Sequence, residues 1–174
     1  MRILTTLLFL ALTVSAFGQS AGTTKIKVFF LNEKDDPNIE DCTAVKPTVR
    51  EIPKTAGIAR AALLELFKGV NADEKAKGFV SFEPESTSGI LKGLNIKNRV
   101  AFVNFDDVVY EKLGNATTSC GSGFFTSIEK TLKQFPSIRK VVYAVEGDTE
   151  GFYEWVQVGE CPHGKRLCSK ANFR

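Results

Sequence analysis

The chain has 174 residues, of which 43% are hydrophobic and 25% are charged. This is the composition of one ordinary globular domain, and it excludes a disordered, collagen-like or repeat-array chain. Lys and Arg total 23 and Asp and Glu total 20, which leaves a formal net charge of +3. A charge so small and so evenly mixed gives no reason to expect nucleic acid or an anionic membrane as the obligatory partner.

The first residues have the pattern of a secretory signal peptide. A positively charged start is followed by the apolar run Ile3–Val14 and by the small residues Ala16 and Gly18. This pattern predicts a signal peptide over residues 1–18, with cleavage after Ala16 as the alternative. A transmembrane anchor would need about 20 apolar residues, and no later stretch is that long. Since the first cysteine is Cys42 and none follows the small residues directly, the sequence predicts a secreted or periplasmic protein without a lipid anchor.

The four cysteines, Cys42, Cys120, Cys161 and Cys168, predict two disulfides, because exported proteins meet an oxidising compartment. Three pairings are formally possible. The closeness of Cys161 to Cys168 favours a small local loop, which leaves Cys42 to join Cys120. A bridge that closes so long a loop would stabilise the protein by about 4 kcal/mol, and we expect it to be structural.

The first half of the chain predicts a hairpin, a long helix and a second hairpin. Alternating apolar residues predict a strand over Lys25–Leu31, and Thr43–Ile52 is a second extended segment whose prolines place it near a sheet edge. Thr55 is the predicted N-cap of a helix with apolar residues every three to four positions. Asn71 and Glu74 predict a capping box for one short extra turn. An extended connector and two antiparallel strands follow, over Phe79–Glu85, Ile90–Ile96 and Arg99–Phe105.

The second half predicts another long helix between strands. Asp106–Leu113 is predicted to be a short helical stretch and Gly114–Gly123 a loop. The long helix ends at Pro136. Arg139–Glu146 predicts a central strand covered on both faces, and Phe152–Val158 predicts a weaker last strand. The buried stripe of the long helix is predicted to consist of Phe125, Ile128, Leu132 and Phe135.

These elements follow the order strand, strand, helix, strand, strand, helix, strand, and the weaker strand Phe152–Val158 comes after them as the eighth element. The order predicts an α+β fold in which two helices pack on one face of a mixed β-sheet. No domain boundary or internal repeat interrupts it. We therefore expect one domain over residues 25–158 and a basic, cysteine-containing tail over residues 159–174. The 14 phenylalanines provide enough aromatic area for a stable core without a cofactor.

Few residues are candidates for catalysis or metal binding. His163 is the single histidine, and no nucleophile motif accompanies it, which disfavours both a Ser-His-Asp triad and a Cys120–His163 pair. Cys161, His163 and Cys168 could supply zinc ligands, but their spacing matches no standard zinc pattern, so a disulfide beside an incidental histidine is the better interpretation. We expect no catalytic residue, no cofactor and no metal.

Two groups of acidic residues leave alternatives open. The loop Glu33–Asp41 is rich in carboxylates but lacks the order of an EF-hand, which favours a solvated acidic face over a calcium site. A second group follows two predicted strands and could act as general acid and general base in the hydrolysis of a glycan. A small envelope hydrolase is therefore the alternative function. This group consists of Asp106, Asp107, Glu146, Asp148 and Glu150.

Two surface features complete the sequence pattern. Lys165, Arg166, Lys170 and Arg174 make the tail basic, which suits either solubility or a contact with an anionic envelope polymer or lipid headgroups. Asn115-Ala116-Thr117 is a glycosylation sequon if the host glycosylates, and it places that loop at the surface.

Five short segments form a recognisable combination: Val49-Arg50-Glu51-Ile52-Pro53, Ala59–Gly69, Glu74 with Gly78, Val100–Phe105, and Thr131–Pro136 before Val141-Val142. An R-x-x-P motif, an Ala- and Leu-rich helix that ends in glycine, and the motif T-L-x-Q-F-P together resemble the GerMN domain. That domain is named from a bacterial sporulation and spore-germination lipoprotein. The resemblance runs from about Lys25 to Gly147.

The resemblance implies a compact α+β domain, similar to the ring-building modules of envelope channels, that works outside the cytoplasmic membrane through protein contacts. It brings no known catalytic residues. The predicted function is therefore an exported, non-enzymatic module that binds or scaffolds other cell-envelope proteins. We expect no nucleic-acid partner and no transmembrane segment after signal cleavage.

Overall fold

The computed structural model describes residues 22–82, 84–114 and 121–174. The predicted signal peptide over residues 1–18, Cys120 and the sequon at Asn115 lie outside these residues, so the expectations about them stay predictions. Within the described residues, no helix is both long and apolar enough to cross a bilayer.

The first three strands form an antiparallel sheet in the order β2-β1-β3. They are β1 (Thr23–Asn32), β2 (Lys46–Pro53) and β3 (Phe79–Val80). Ile26, Val28 and Phe30 of β1 are buried, as their alternation predicts. In the described part of the chain no strand pairs with the outer side of β2, which agrees with the edge position inferred from its prolines.

Two helices follow the first hairpin, α1 (Ile58–Phe67) and α2 (Ala72–Ala76). The predicted capping box is present, because Asn71 Oδ1 accepts a hydrogen bond from the Glu74 amide and Glu74 Oε2 accepts one from the Asn71 amide, both at 2.9 Å. The predicted N-cap of α1 is wrong. Gly57 occupies that position, and Thr55 Oγ1 instead accepts a hydrogen bond from the Gly57 amide at 3.2 Å.

A second sheet has the order β4-β5-β6 and contains one antiparallel and one parallel pairing. Its strands are β4 (Leu91–Lys97), β5 (Val100–Phe105) and β6 (Lys140–Val145). Asn98 and Arg99 join β4 to β5, both with positive φ, as tight two-residue hairpin turns require. β6 is covered on both faces, but its predicted central position is wrong, because β5 is the middle strand. The predicted single mixed sheet is therefore two sheets, of which only the second is mixed.

β3 pairs only with Leu31 and Asn32 of β1, and the end of a helix covers the same edge further along the strand, at Lys27 and Phe29. Gln134, just after helix α5 (Gly121–Lys133), accepts a hydrogen bond from the Lys27 amide at 2.8 Å and donates one to the Lys27 carbonyl at 2.6 Å. The Phe29 amide donates to Thr131 Oγ1 at 3.3 Å. The Gln134 side chain pairs with both backbone groups of Lys27, as a residue of a neighbouring strand would.

The remaining helices are α3 (Pro84–Thr87), α4 (Val108–Leu113), α5 and α6 (Thr149–Trp155). The predicted stripe of α5 faces the core: Ile128 and Leu132 are fully buried, and Phe125 and Phe135 are half-buried. The short helix predicted after β5 is present as α4.

The predicted last strand is wrong, because α6 takes its place. The Asp148 side chain accepts a hydrogen bond from the Glu150 amide at 3.1 Å and so caps the first turn of α6. Phe152 and Tyr153 are both buried. Adjacent residues of a strand point to opposite faces, whereas here both rings pack into the same core.

An aromatic cluster lies at the centre of that core. The ring of Phe152 lies 5.0 Å from Tyr143 and 5.3 Å from Phe125, measured between centroids. The Tyr143 hydroxyl donates to the Phe125 carbonyl at 3.2 Å. Burial raises the pKa of Tyr143 well above its ordinary value and raises the pKa of Tyr153 to about 12. Both hydroxyls therefore stay protonated at neutral pH.

The tail is folded onto the second sheet. Cys161 and Cys168 form a disulfide, with their Cα atoms 6.2 Å apart. A 3-10 helix over Lys170–Phe173 then places the Phe173 ring edge-on to Phe102, with centroids 5.5 Å apart. The tail thus covers part of one face of β4, β5 and β6.

Candidate binding site

An apolar cleft of about 460 Å³ opens between the first sheet, α1 and the start of α5. Ligand pockets in proteins typically have volumes of about 300–1,000 Å³. Its apolar lining consists of Phe30, Leu31, Ile39, Leu66, Val80, Phe82 and Phe124, and its polar lining of Asn38, Ser81, Thr87 and Ser127, with Gly123 between them. We call this feature the apolar cleft.

Aromatic rings form the deep wall of the apolar cleft. Phe124 stacks on Phe67 at 5.5 Å and meets Phe82 edge-on at 5.4 Å. Two hydroxyls of the lining already bond to the protein, because Ser81 accepts from the Val70 amide at 3.0 Å and Thr87 donates to the Phe67 carbonyl at 2.6 Å. The wall therefore offers a ligand mainly apolar contact.

A buried ion pair lies next to Phe30, one of the residues that line the cleft. Arg50, the arginine of the R-x-x-P motif, donates from Nε to Glu74 Oε1 at 3.0 Å, and its other nitrogens donate to the carbonyls of Glu65 and Gly69. The Arg50 and Glu74 side chains are only 10% and 4% exposed. The Arg50 guanidinium also lies 5.4 Å from the ring centre of Phe30, which lines the cleft. These bonds hold the end of α1 and the start of α2 against the first hairpin.

The ionisation of the Glu74 carboxyl depends on its hydrogen bonds with Arg50 and Asn71. Burial alone would raise the pKa of Glu74, but hydrogen bonds from the Arg50 guanidinium and from the Asn71 amide outweigh that effect and lower it. Glu74 is therefore ionised and paired near neutral pH.

An acidic loop forms the rim of the cleft, where Asn38 and Ile39 line it. Several carboxylates of the loop bond to its own backbone: Asp36 accepts from the Asp41 amide at 2.8 Å, and Asp41 accepts from the Thr43 amide at 2.9 Å. Hydrogen bonds from the hydroxyl and the amide of Thr43 lower the pKa of Asp41. Among the residues that the structure describes, no three His, Cys, Asp or Glu side chains are grouped to hold a metal ion.

Gly123 lets α5 approach this rim closely. A Cβ atom at Gly123 would lie 2.8 Å from the Cys42 carbonyl oxygen and 3.4 Å from the Leu31 side chain. A larger residue would have to push α5 away from the loop, so this glycine has a packing role.

The strand-end carboxylates of the predicted hydrolase site come together only in part. Because β5 and β6 are parallel and in register, Asp106 and Glu146 follow strands that end side by side. Glu146 is paired with Lys92, and Asp106 Oδ1 accepts from the Val108 amide at 3.3 Å. Asp148 caps α6 as described above. None of these carboxylates lines the apolar cleft.

The tail residues that could supply zinc ligands form a disulfide and an aromatic contact instead. Cys161 and Cys168 are bonded to each other, and the His163 ring lies edge-on to Tyr153 with centroids 6.1 Å apart. Burial, together with the charge of Lys140, lowers the pKa of His163. The predicted disulfide between Cys42 and Cys120 stays a prediction, because Cys120 lies outside the described residues.

These features define a small α+β domain with two open sheets, an apolar cleft and a buried ion pair beside it. A model of the Germane family, described as sporulation and spore germination, matches residues 27–151. The chain belongs to this family, and the predicted GerMN resemblance is confirmed. The family description names a biological process and no reaction.

A solved structure shares the fold. The tandem GerMN domains of the sporulation protein GerM from Bacillus subtilis match with a TM-score of 0.55 and 22% identity, over 77% of this chain and 43% of that chain. This chain thus spans less than half of that tandem protein. No curated protein sequence matches the chain significantly.

Two further structures match more weakly. A putative lipoprotein from Clostridium perfringens has a TM-score of 0.41 and 19% identity, over 72% of this chain and 76% of that chain. The first GerMN domain of GerM from Bacillus subtilis has a TM-score of 0.41 and 14% identity, over 71% of this chain and 84% of that chain.

Proposed function

We propose that this chain is an exported, non-enzymatic GerMN module that binds another cell-envelope protein, and that the apolar cleft receives an apolar side chain of that partner. The observation that carries the proposal is the aromatic wall of the cleft, where the hydroxyls of Ser81 and Thr87 are already satisfied within the protein. Such a surface favours burial of apolar area over polar chemistry.

Charge around the cleft indicates the chemistry of the partner. The loop that supplies Asn38 and Ile39 carries five acidic residues and one basic residue, Lys34. The Lys34 ammonium donates to the Ala76 carbonyl at 2.9 Å, and Lys46 pairs with Asp35 at 3.8 Å, so the five acidic residues still outnumber these two lysines. The rim therefore favours a segment in which basic residues flank an apolar anchor, because complementary charge speeds association and selects the partner.

The carboxylates that could support the alternative, a hydrolase, have structural partners. Glu146 pairs with Lys92, and Asp148 caps α6. The family is likewise described by a process. The structural partners of these carboxylates favour a binding role.

Export has a direct test in the intact mass of the protein, recovered from outside the cytoplasm of a bacterial host and alkylated without reduction. We expect the mass of 156 residues (174 − 18), starting at Gln19, with no alkyl group added. Retention of residues 1–18 would contradict the proposed export. Four alkylated thiols would contradict both disulfides and would restore the thiol-based alternatives.

Binding at the cleft is testable with short fluorescent peptides that carry a central Leu-Phe pair flanked by lysines. Val80 lines the cleft and is half-buried, so Val80→Lys should weaken binding of this peptide about tenfold or more, since it places a charge in the apolar recess and repels the flanking lysines. Fluorescence anisotropy measures the effect.

Val49→Lys is the matched control, because Val49 is 59% exposed on β2 and does not line the cleft. This variant should bind like the unmodified protein. Glutamate-flanked peptides and peptides with serine at the centre should bind weakly to all variants. Equal loss in V80K and V49K, or no preference for the lysine-flanked peptide, would overturn the proposed site.

A further inference from the structure

A second cleft, of about 440 Å³, lies where the tail meets the second sheet. Three cationic side chains surround an apolar floor: Lys97, Lys140 and Arg166 around Val100, Phe102 and Leu167. No Asp or Glu is among the described residues that line it. We call this feature the basic cleft. It shares no residue with the apolar cleft, and nothing in the proposed function uses it.

Strand register places two of the cations on one face. Lys97 of β4 lies directly opposite Val100 of β5, and Val100 lies opposite Lys140 of β6. Directly paired residues point to the same face of a sheet, here the face that the tail partly covers. Adjacent strands lie about 4.8 Å apart, so the backbones of Lys97 and Lys140 are about 10 Å apart.

The three cations have no anionic partner within the described residues. All three side chains are exposed, and none takes part in an ion pair there. Nearby, the charge of Lys140 adds to burial in lowering the pKa of His163. The described lining of the basic cleft therefore carries three positive charges and no carboxylate.

The third cation is held in place by the tail. Arg166 lies within the loop that the Cys161–Cys168 disulfide closes. The Asn172 side chain donates to the Arg166 carbonyl at 2.9 Å, and the Asn172 carbonyl accepts from Asn95 Nδ2 of β4 at 2.9 Å. The backbone of Arg166 is thus anchored to the sheet before any ligand arrives, which lowers the entropy lost on binding.

We propose that the basic cleft binds a phosphate-bearing anionic polymer of the cell envelope, with successive phosphates paired to Lys97, Lys140 and Arg166. Arginine pairs with phosphate in a bidentate way, and lysine acts as a point charge beside it. The spacing across three strands suits a chain of charges better than one compact anion. The concave shape suits a strand of polymer better than the flat surface of a bilayer.

The test measures binding of poly(glycerol phosphate) to the mature, disulfide-bonded protein at several salt concentrations. The triple variant K97Q/K140Q/R166Q should bind about tenfold or more weakly at low salt, and its affinity should depend less on salt, because fewer counterions are released. Unchanged circular dichroism of the variant is expected, because all three side chains are exposed.

The matched control is K25Q/R60Q/K75Q, which removes the same charge from exposed positions outside the basic cleft. It should retain nearly the full affinity. Equal weakening by both triple variants would overturn the proposal, since it would mean attraction by net charge alone. Binding of inorganic phosphate as tight as that of the polymer, or binding to phosphatidylglycerol vesicles but not to the polymer, would also overturn it.

The disulfide gives a second, independent measurement. C161S/C168S removes the cross-link that holds Arg166 while leaving all three charges in the chain. We expect its affinity for the polymer to fall towards that of the triple variant. Undiminished binding would show that the placement of Arg166 does not matter and would overturn the role of the tail.

Discussion

Replacing Arg50 with methionine is expected to lower the free energy of unfolding by about 3–5 kcal/mol, because it leaves a buried carboxylate without its partner. Glu74 is 3% exposed, and Arg50 is its ion-pair partner. The same substitution removes the donors to the carbonyls of Glu65 and Gly69 at the end of α1. Urea denaturation, followed by circular dichroism, measures the loss.

Two further variants separate the ion pair from packing. Arg50→Lys should also destabilise strongly, because one ammonium cannot reproduce the fork that reaches Glu74 and two carbonyls. The double variant R50M/E74L should lose less than the sum of its single variants, since an apolar pair leaves no buried charge behind. A loss below about 1 kcal/mol for R50M would contradict the role assigned to the pair.

The pH dependence of stability follows from the same pair. The pKa of Glu74 is below its ordinary value of 4.5 in the folded protein, so the unfolded chain takes up a proton first as the pH falls. The contribution of Glu74 is therefore complete above pH 4.5 and is lost as the pH falls from there through the folded pKa. In the Glu74→Gln variant, the free energy of unfolding should therefore change less with pH in that acidic range.

Strands with a clear local pattern were predictable from the sequence. The alternation of Ile26, Val28 and Phe30 is a property of neighbouring residues, and it gave the correct buried face of β1. The helix α6 was not predictable in this way. Phe152 and Tyr153 lie in a short aromatic run, and such a run suits a strand as well as a helix. Asp148 is the available signal for a helix start, although its place after a predicted strand also suits a charge at a strand end.

The division into two sheets depends on contacts that local pattern does not contain. Gln134 bonds to Lys27 across 107 positions of sequence, so the contact between the end of α5 and the edge of β1 cannot be read from neighbouring residues. The T-L-x-Q-F-P motif marked Thr131 and Gln134 as unusual without giving their role. Strand choice is therefore set here by tertiary structure rather than by propensity.

Neither cleft is predictable from the sequence, because each is lined by residues that lie far apart along the chain. The apolar cleft combines Phe30, Val80 and Phe124 from three separate elements, each of which has an ordinary core pattern by itself. The sequence shows that the tail is basic, but Lys97 and Lys140 meet only through strand register, and Arg166 joins them only because the tail folds onto the sheet. A sequence shows which charges exist, whereas pairing of strands decides which of them meet.

Replacing Phe152 with alanine is expected to destabilise the protein by about 3–5 kcal/mol, because a fully buried ring leaves a cavity that the core cannot fill completely. Phe152 is 1% exposed, and its ring contacts Phe105, Phe125 and Tyr143. Aromatic neighbours add a further loss beyond the buried area. Urea denaturation of the variant measures the effect.

Val158→Ala is the control that distinguishes the helix from the strand that the sequence predicted. In a strand over Phe152–Val158, residues Phe152 and Val158 would share a buried face and Tyr153 would point away. In α6 and the turn after it, Phe152 and Tyr153 are both buried while Val158 is 57% exposed. V158A should therefore change stability by less than about 0.5 kcal/mol, and Tyr153→Ala should destabilise nearly as much as F152A. A large loss in V158A with a small one in Y153A would contradict the helix and restore the strand.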